Sequence, residues 1–295
     1  MSIKKIIITK GIYSDRELRL LVSFDENDCP VDIINLDITK VGEIHLASVE
    51  KVLHDIGACI LKLDSNDKAF IENKKLMPKY YVVSHSDKKL VCQGDKFYVQ
   101  ISQDRKGVKP YSCNFIESDS EDVCKMSFIN YYLDKYCDDQ VEIISDLEDI
   151  AAFGIKYRFY SDEDISLWKL YGLTKILDNI SSKICHLKSG GNIVIEPTEA
   201  LTVIDVNSGK NYGKQTFMQV NYEAIETAFK EIRLRSLSGI ILIDLLKMSK
   251  AEEDEILAAA KSLAKDDISC VNIHGFSNLG LLEITRSRIF SPFII

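Results

Sequence analysis

The chain has 295 residues, of which 46% are hydrophobic and 28% charged, and its formal net charge is −8. This acidic balance argues against a protein that holds nucleic acid by charge alone, since such proteins are usually basic. No apolar run reaches the roughly 20 residues that span a bilayer, so we expect a cytoplasmic protein with no membrane partner. The eight cysteines include no C-x-x-C pair, which favours buried reduced thiols over zinc sites or disulfides.

The first part of the chain predicts strands. Residues 3–9, 17–23 and 31–36 have the apolar, β-branched composition of strands. Several further short strands between residues 41 and 116, separated by polar turns, predict a small barrel. Residues 117–140 begin acidic and polar, and we expect a surface connection there with one short helix.

The second half alternates helices and strands. Spacings of three and four residues around Trp168 predict a long helix that buries this side chain. An apolar strand that ends at Asn207 is followed by a helix over about 216–235 and by a second apolar strand that carries Asp244. From about residue 190 this order predicts an α/β layout, and if the two strands are parallel neighbours they end at the same sheet edge.

Three oxygen-bearing side chains occur at the ends of these two strands. Asp205 and Asn207 are two residues apart, so a strand directs both to one face. Asp244 interrupts the run Ile-Leu-Ile-Asp-Leu-Leu, where an unpaired buried carboxylate would be costly. Two carboxylates and an amide suit Mg²⁺, or Mn²⁺, better than zinc, which prefers histidine and cysteine. In the structural alternative, Asp205 only caps a loop and Asn207 begins a turn.

Basic side chains around this constellation are candidate phosphate contacts. They are Lys210, Lys214, Arg233, Arg235, Arg286 and Arg288. Taken singly, such arginines are more often solvated charges on a helix face. An acidic chain can nevertheless carry a local basic groove of this kind.

Four segments of the chain resemble the ribonuclease E/G family. They start at Gly190 (Gly-Gly-Asn-Ile-Val-Ile-Glu-Pro-Thr-Glu-Ala-Leu-Thr-Val-Ile-Asp-Val-Asn-Ser-Gly), Asn221 (Asn-Tyr-Glu-Ala), Ile232 (Ile-Arg-Leu-Arg-Ser-Leu-Ser-Gly-Ile-Ile-Leu-Ile-Asp) and Leu279 (Leu-Gly-Leu-Leu-Glu-Ile-Thr-Arg-Ser-Arg). They follow the family's order across residues 190–288, and a weaker similarity covers residues 1–116.

The resemblance implies a magnesium-dependent endoribonuclease that cuts single-stranded RNA in rRNA processing or mRNA decay. Its products would carry 5′-phosphate and 3′-hydroxyl ends. The family's catalytic metal ligands fall on Asp205, Asn207 and Asp244, with Asn207 orienting one ligand. Its RNA-contacting aromatic and lysine fall on Phe70 and Lys109, although Phe70 would fit an ordinary barrel core as well.

RNA contacts are also expected at Lys210, Arg235 and Arg286. Arg286 and nearby basic side chains would hold the RNA backbone. A second family aromatic falls on Ile60, where base stacking would be weaker.

The fold that the resemblance implies is α/β (α+β). An RNase H-like domain, residues 1–39 and 141–186, would contain an inserted OB-type RNA-binding barrel at 40–116. Residues 117–140 would be a shortened sensor segment or linker. A DNase I-like catalytic domain would occupy residues 187–295.

Three departures from the family pattern change these expectations. The segment that senses a 5′-monophosphate is reduced to residues 117–140 without an Arg-Thr pair, and Asn278 replaces a further arginine, so cleavage should ignore the 5′ end. No C-P-x-C-x-G motif occurs before Ile295, so a zinc-linked tetramer is not expected and the homo-oligomeric state is left open. Lys210 replaces an arginine, which keeps the charge but loses bidentate phosphate binding.

Two rival functions stay open at this point. A chain without these sensor and oligomerisation segments would also suit a non-catalytic RNA-binding protein that keeps the fold, although all three oxygen ligands are retained. A magnesium–carboxylate site would also serve a DNA nuclease.

Overall fold

Three β-structures organise the chain: a five-stranded sheet, a closed five-stranded barrel and a six-stranded sheet. They are seen in a computed structural model that describes residues 3–85, 90–105, 107–120, 127–138, 140–209 and 217–293. None of the helices in these ranges is long and apolar enough to cross a membrane. The predicted mixed α/β class is confirmed.

The chain begins with an antiparallel meander of three strands, β1 (Lys5–Tyr13), β2 (Arg16–Phe24) and β3 (Pro30–Asn35). The apolar run in β1 is continuous because the sheet is covered on both faces. Ile6 and Ile8 point into one core, whereas Ile7 points into another.

The closed barrel follows directly. Its strands are β4 (Ile44–Leu53), β5 (Ala58–Leu63), β6 (Lys68–Glu72), β7 (Lys96–Gln103) and β8 (Tyr111–Phe115). Short 3₁₀ helices occur at His54–Ile56, Asn73–Lys75 and Pro78–Tyr80. The strands close in the order β4-β5-β6-β8-β7, with β6 and β8 parallel, and every second side chain fills the interior. The predicted barrel is confirmed, whereas its OB-type classification stays a prediction.

After the barrel the chain returns to the first sheet. Its elements are α1 (Phe128–Tyr136), β9 (Glu142–Ser145), a 3₁₀ helix (Glu148–Phe153), β10 (Arg158–Phe159), α2 (Leu167–Leu170) and α3 (Leu173–Ser181). β9 lies parallel to β1, and the sheet order is β10-β9-β1-β2-β3. The barrel is therefore inserted between two strands of one sheet.

The predicted long helix around Trp168 is two helices. Gly172 has φ +59°, a left-handed conformation that ends α2 before α3 begins. Trp168 is buried as predicted. Its ring lies against Gly11 of β1, where a Cβ atom would collide with it.

The last part of the chain forms the six-stranded sheet. It contains β11 (Ile184–His186), β12 (Asn192–Pro197), β13 (Leu201–Asn207), α4 (Phe217–Leu234), β14 (Gly239–Asp244), α5 (Lys250–Lys265), β15 (Val271–Phe276) and β16 (Leu281–Arg286). The order is β11-β12-β13-β14-β16-β15, and β13 lies parallel to β14. The RNase H-like and DNase I-like domain types, and the predicted domain limits, stay predictions.

Helices α4 and α5 cover only one face of this sheet. On β13, Ile204 and Val206 point into that core, whereas Asp205 and Asn207 are exposed. We call the uncovered side the open face. The prediction that Asp244 sits in a buried strand is wrong, because this residue also points to the open face.

Polar contacts connect the first sheet with α4 and the barrel with the segment after β16. Asp32 of β3 forms a buried ion pair with Arg233 of α4, at 2.7 Å from Nε. At the base of the barrel, the Asp104 carboxylate accepts hydrogen bonds from the backbone of Lys40 (3.1 Å) and Ser291 (3.0 Å). The Asp104 N–H donates to the carbonyl of Ile289 (2.8 Å), so the segment after β16 is fastened to the barrel.

Candidate active site

Asp205 and Asp244 are direct partners across the parallel strands β13 and β14. Partners in adjacent strands lie about 4.8 Å apart along the hydrogen-bonding direction and point to the same face. The two carboxylates therefore lie side by side on the open face, and both are exposed. Each stands near the carboxyl end of its strand, where ligands of α/β sheets usually bind.

Asn207 is the last residue of β13 and points to the same face as Asp205. Its Nδ2 donates to Oδ2 of Asp205 at 2.8 Å, with a longer contact of 3.5 Å to Oδ1 of Asn192. This bond orients the Asp205 carboxylate while it occupies only one of the two carboxylate oxygens. The arrangement agrees with an orienting role for the amide.

Asp205 and Asp244 place two like charges side by side, and like charges repel each other. Across the described ranges, which omit residues 210–216 of the adjoining loop, neither carboxylate forms an ion pair. A bound cation would relieve this repulsion. The same ranges hold no cluster of three or more His, Cys, Asp and Glu side chains arranged around a metal. A metal at this site would therefore depend on two carboxylates, the amide and water, which is how Mg²⁺ is usually held.

Close backbone packing fixes the end of β13. A Cβ atom at Gly191 would collide with the carbonyl of Asn207, and one at Gly209 would collide with the carbonyl of Gly190. Gly209 also has φ +69°, which favours glycine. The Gly-Gly and Ser-Gly pairs in the sequence thus allow the β11–β12 turn to press against the strand end that carries Asn207.

Two of the predicted RNA contacts are buried. Arg286 is 4% exposed and bonds to Asp267 through Nε and Nη2, both at 2.9 Å, and to the Leu237 carbonyl through Nη1 at 2.8 Å. It also pairs with Gly239, at the opposite end of β14 from Asp244. The geometry therefore does not support direct contact between Arg286 and RNA.

Arg235 is also buried, and its guanidinium bonds to Glu231 (2.9 Å) and to Sγ of Cys185 (3.1 Å). The structure does not support an RNA contact here either. Both arginines satisfy nearby acids, because a buried guanidinium requires such partners. Lys210 and Lys214 lie outside the described residues.

Phe70 and Lys109 lie on the surface of the barrel. Phe70 is half-buried on the outer face of β6, between Ile60 of β5 and Ser112 of β8. Its neighbours Ala69 and Ile71 fill the interior instead, so the core alternative for Phe70 is wrong. Lys109 is exposed in the loop just before β8.

Residue patterns did not single out two polar side chains of α4 that reach the loops around the site. Asn221 is fully buried and contacts the loop after Asp244, and Glu223 contacts the turn beside Asn207. One feature of the sequence could have identified Asn221, because it is an asparagine within the apolar stripe of an amphipathic helix. A buried asparagine of this kind needs a specific hydrogen-bond partner.

Comparisons with known proteins indicate the family of this chain. A sequence model of the Ribonuclease E/G family matches residues 83–289. Ribonuclease G of Haemophilus influenzae is 34% identical over 160 residues, which are 52% of this chain and 32% of that protein. The chloroplastic Ribonuclease E/G-like protein of Arabidopsis thaliana is 34% identical over 155 residues, 50% of this chain and 16% of that protein.

Ribonuclease G of Escherichia coli K12 is 33% identical over 128 residues, 41% of this chain and 26% of that protein. The matched part of this chain spans about a third or less of the length of each relative. The family match itself extends over more than half of the chain and includes the three residues of the candidate site. The chain belongs to the ribonuclease E/G family.

Proposed function

We propose that this protein is a magnesium-dependent endoribonuclease that cleaves single-stranded RNA and leaves 5′-phosphate and 3′-hydroxyl ends. The pairing of Asp205 with Asp244 on the open face, beside Asn207, is the observation that carries the proposal. The names of the relatives, Ribonuclease G and Ribonuclease E/G-like protein, support RNA as the substrate. Precursor rRNA or mRNA in the cytoplasm would be the substrate class.

The donor set fits a hard divalent cation. Asp205 and Asp244 would hold Mg²⁺, with Mn²⁺ as the alternative, and Asn207 would keep the Asp205 carboxylate in one orientation. Oxygen donors with open access to water suit these ions, whereas zinc favours nitrogen and sulfur ligands. A bound Mg²⁺ would supply charge neutralisation at the scissile phosphate and a more acidic water.

The barrel would hold the single strand. Phe70 presents its ring on the outer surface, where an aromatic side chain can stack on a base of any identity. Lys109 is exposed and would contact phosphate. Ile60, the neighbour of Phe70, has no aromatic ring, so stacking would rest on Phe70. Lys210 stays a candidate phosphate contact.

Asp205→Asn and Asp244→Asn variants test the proposal on an unstructured AU-rich RNA during a magnesium titration. Each variant should lose about 10²-fold or more in kcat, the scale seen when one electrostatic stabiliser of a transition state is removed. RNA binding should persist. Asp254→Asn is the matched control, because Asp254 is exposed on α5 away from the open face.

Two outcomes would favour the rival functions. If the unmodified protein cuts no better than either variant while all of them bind RNA, the protein is a non-catalytic RNA-binding protein. If single-stranded DNA is cut as fast as RNA of the same sequence, the protein is a DNA nuclease.

The same substrates test the response to the 5′ end. Asn278, which replaces an arginine of the family pattern, is exposed in the turn between β15 and β16 and carries no positive charge. RNAs that differ only in a 5′-hydroxyl or a 5′-monophosphate should therefore be cut at the same rate. A large preference for the monophosphate would refute this expectation. The oligomeric state is left open.

A further inference from the structure

Helix α4 is hydrogen-bonded to the loop that follows Asp244. Asn221 is fully buried, and its side chain forms two hydrogen bonds of 2.9 Å with the backbone of Leu246. Nδ2 donates to the Leu246 carbonyl, and Oδ1 accepts from the Leu246 N–H. Because Leu246 lies two residues after Asp244, these bonds hold the chain where the sheet's own ladder has ended.

The same helix is also hydrogen-bonded to the turn between β11 and β12. The Glu223 carboxylate accepts hydrogen bonds from the backbone N–H of Lys188 and, at 3.0 Å, of Ser189. Burial alone would raise the pKa of Glu223, but the hydrogen bonds from Ser189 and Lys188 outweigh it and the pKa lies below its usual value. The charged carboxylate is therefore the form that holds the turn.

This turn is in direct contact with the end of β13. Its glycines, Gly190 and Gly191, press against the backbone of Gly209 and Asn207 so closely that no Cβ atom fits. A displacement of the turn would therefore displace Asn207, whose amide orients Asp205. Through two side chains, α4 is coupled to the ends of both strands that carry the candidate metal ligands.

We propose that Asn221 and Glu223 are positioning residues that fix the relative placement of Asp205 and Asp244. This inference rests on the proposed function. Asp244 and Asn207 are the last residues of their strands, so the ladder restrains them from one side only. Tyr222, between the two positioning residues, instead donates to Glu255 of α5 at 3.2 Å.

The two contacts can be removed separately. Asn221→Ala deletes both bonds to Leu246, and Asn221→Asp keeps the acceptor but loses the donor. Glu223→Gln can accept one of the two turn N–H groups but sets an amide donor against the other. Glu226→Gln and Asn179→Ala are matched controls at exposed helix positions.

Three measurements on the full chain decide the proposal: Mn²⁺ affinity by electron paramagnetic resonance, kcat and KM on single-stranded RNA, and amide hydrogen exchange. Asn221→Ala and Glu223→Gln should each weaken Mn²⁺ binding about 10- to 100-fold, the range for residues that support metal ligands. kcat should fall in parallel while KM changes little, and Asn221→Asp should lie in between. Amide hydrogen exchange should become faster at Leu246 in Asn221→Ala and at Ser189 in Glu223→Gln.

Normal Mn²⁺ affinity and kcat beside faster local exchange would overturn the proposal, because the contacts would then hold only the loops. Thermal melting identifies global unfolding, and Glu223→Gln decides the question if Asn221→Ala fails to fold. If the unmodified protein neither binds Mn²⁺ nor cuts RNA, the proposed function fails. In that case exchange alone decides whether α4 positions the strand ends, and unchanged exchange overturns the inference.

Discussion

Asp32 and Asp205 are aspartates of apolar strands that the fold treats in opposite ways. Asp32 is buried in β3, and its two oxygens accept bonds from Arg233 at 2.7 and 2.8 Å. Asp205 is exposed on β13, beside a second carboxylate, Asp244, and is oriented by Asn207. A buried charge must be paired within the protein, whereas exposed like charges are left for a ligand to neutralise. The difference separates residues that hold the chain together from residues available for chemistry.

The largest effect is expected from Asp32→Asn. The change leaves the Arg233 guanidinium buried beside a neutral amide, and loss of one partner of a buried ion pair costs about 3–5 kcal/mol. The free energy of unfolding, measured by urea titration, should fall by this amount. Asp205→Asn is the matched control, with an expected change within about 0.5 kcal/mol because the residue is exposed. Equal losses in both variants would remove the distinction between the two regions.

Phe70→Ala should have the next largest effect. Loss of a stacked base costs about 1–3 kcal/mol of RNA affinity, whereas loss of a side chain from an outer barrel face leaves the core intact. Fluorescence anisotropy in an Asp244→Asn background would measure affinity without cleavage. Ile56→Ala, at an exposed position elsewhere on the barrel, is the control. A fall in melting temperature with unchanged RNA affinity would show that the Phe70 ring stabilises the barrel surface and does not bind RNA.

The pH dependence of stability gives the smallest of the three effects. Burial raises the pKa of Asp32, but the hydrogen bond and charge of Arg233 lower this pKa by more than burial raises it. The folded pKa therefore lies below the unfolded value of about 3.9. The stabilisation is therefore complete above the unfolded pKa and is lost as the pH falls through the folded pKa. The difference in unfolding free energy between the unmodified protein and Asp32→Asn should become smaller as the pH falls from neutral to acidic values. Parallel curves would contradict this account.

Much of the candidate site could be predicted from the sequence because its geometry is local. The i, i+2 spacing placed Asp205 and Asn207 on one face, and the strand–helix–strand order predicted the neighbouring strand of Asp244. The open face could not be predicted, because it carries aliphatic residues such as Val203 and Ile240 that make both strands look buried.

Contacts between distant parts of the chain account for the remaining differences. Asp32 and Arg233 are 201 residues apart, so no local pattern links them. Arg286 resembled a surface charge in the sequence, but its pairing with Asp267 depends on the fold. Gly172 occupies a helical spacing and ends a helix instead, because its backbone is left-handed.

The fastening of Asp104 to Lys40 and Ser291 restricts how the barrel can move. A domain on one flexible tether swings about a single pivot, whereas this barrel is attached by two chain crossings and by the segment after β16. An RNA strand bound at Phe70 would therefore approach Asp205 and Asp244 in a fixed direction. The number of nucleotides between the base bound at Phe70 and the cleaved phosphodiester bond would then be constant.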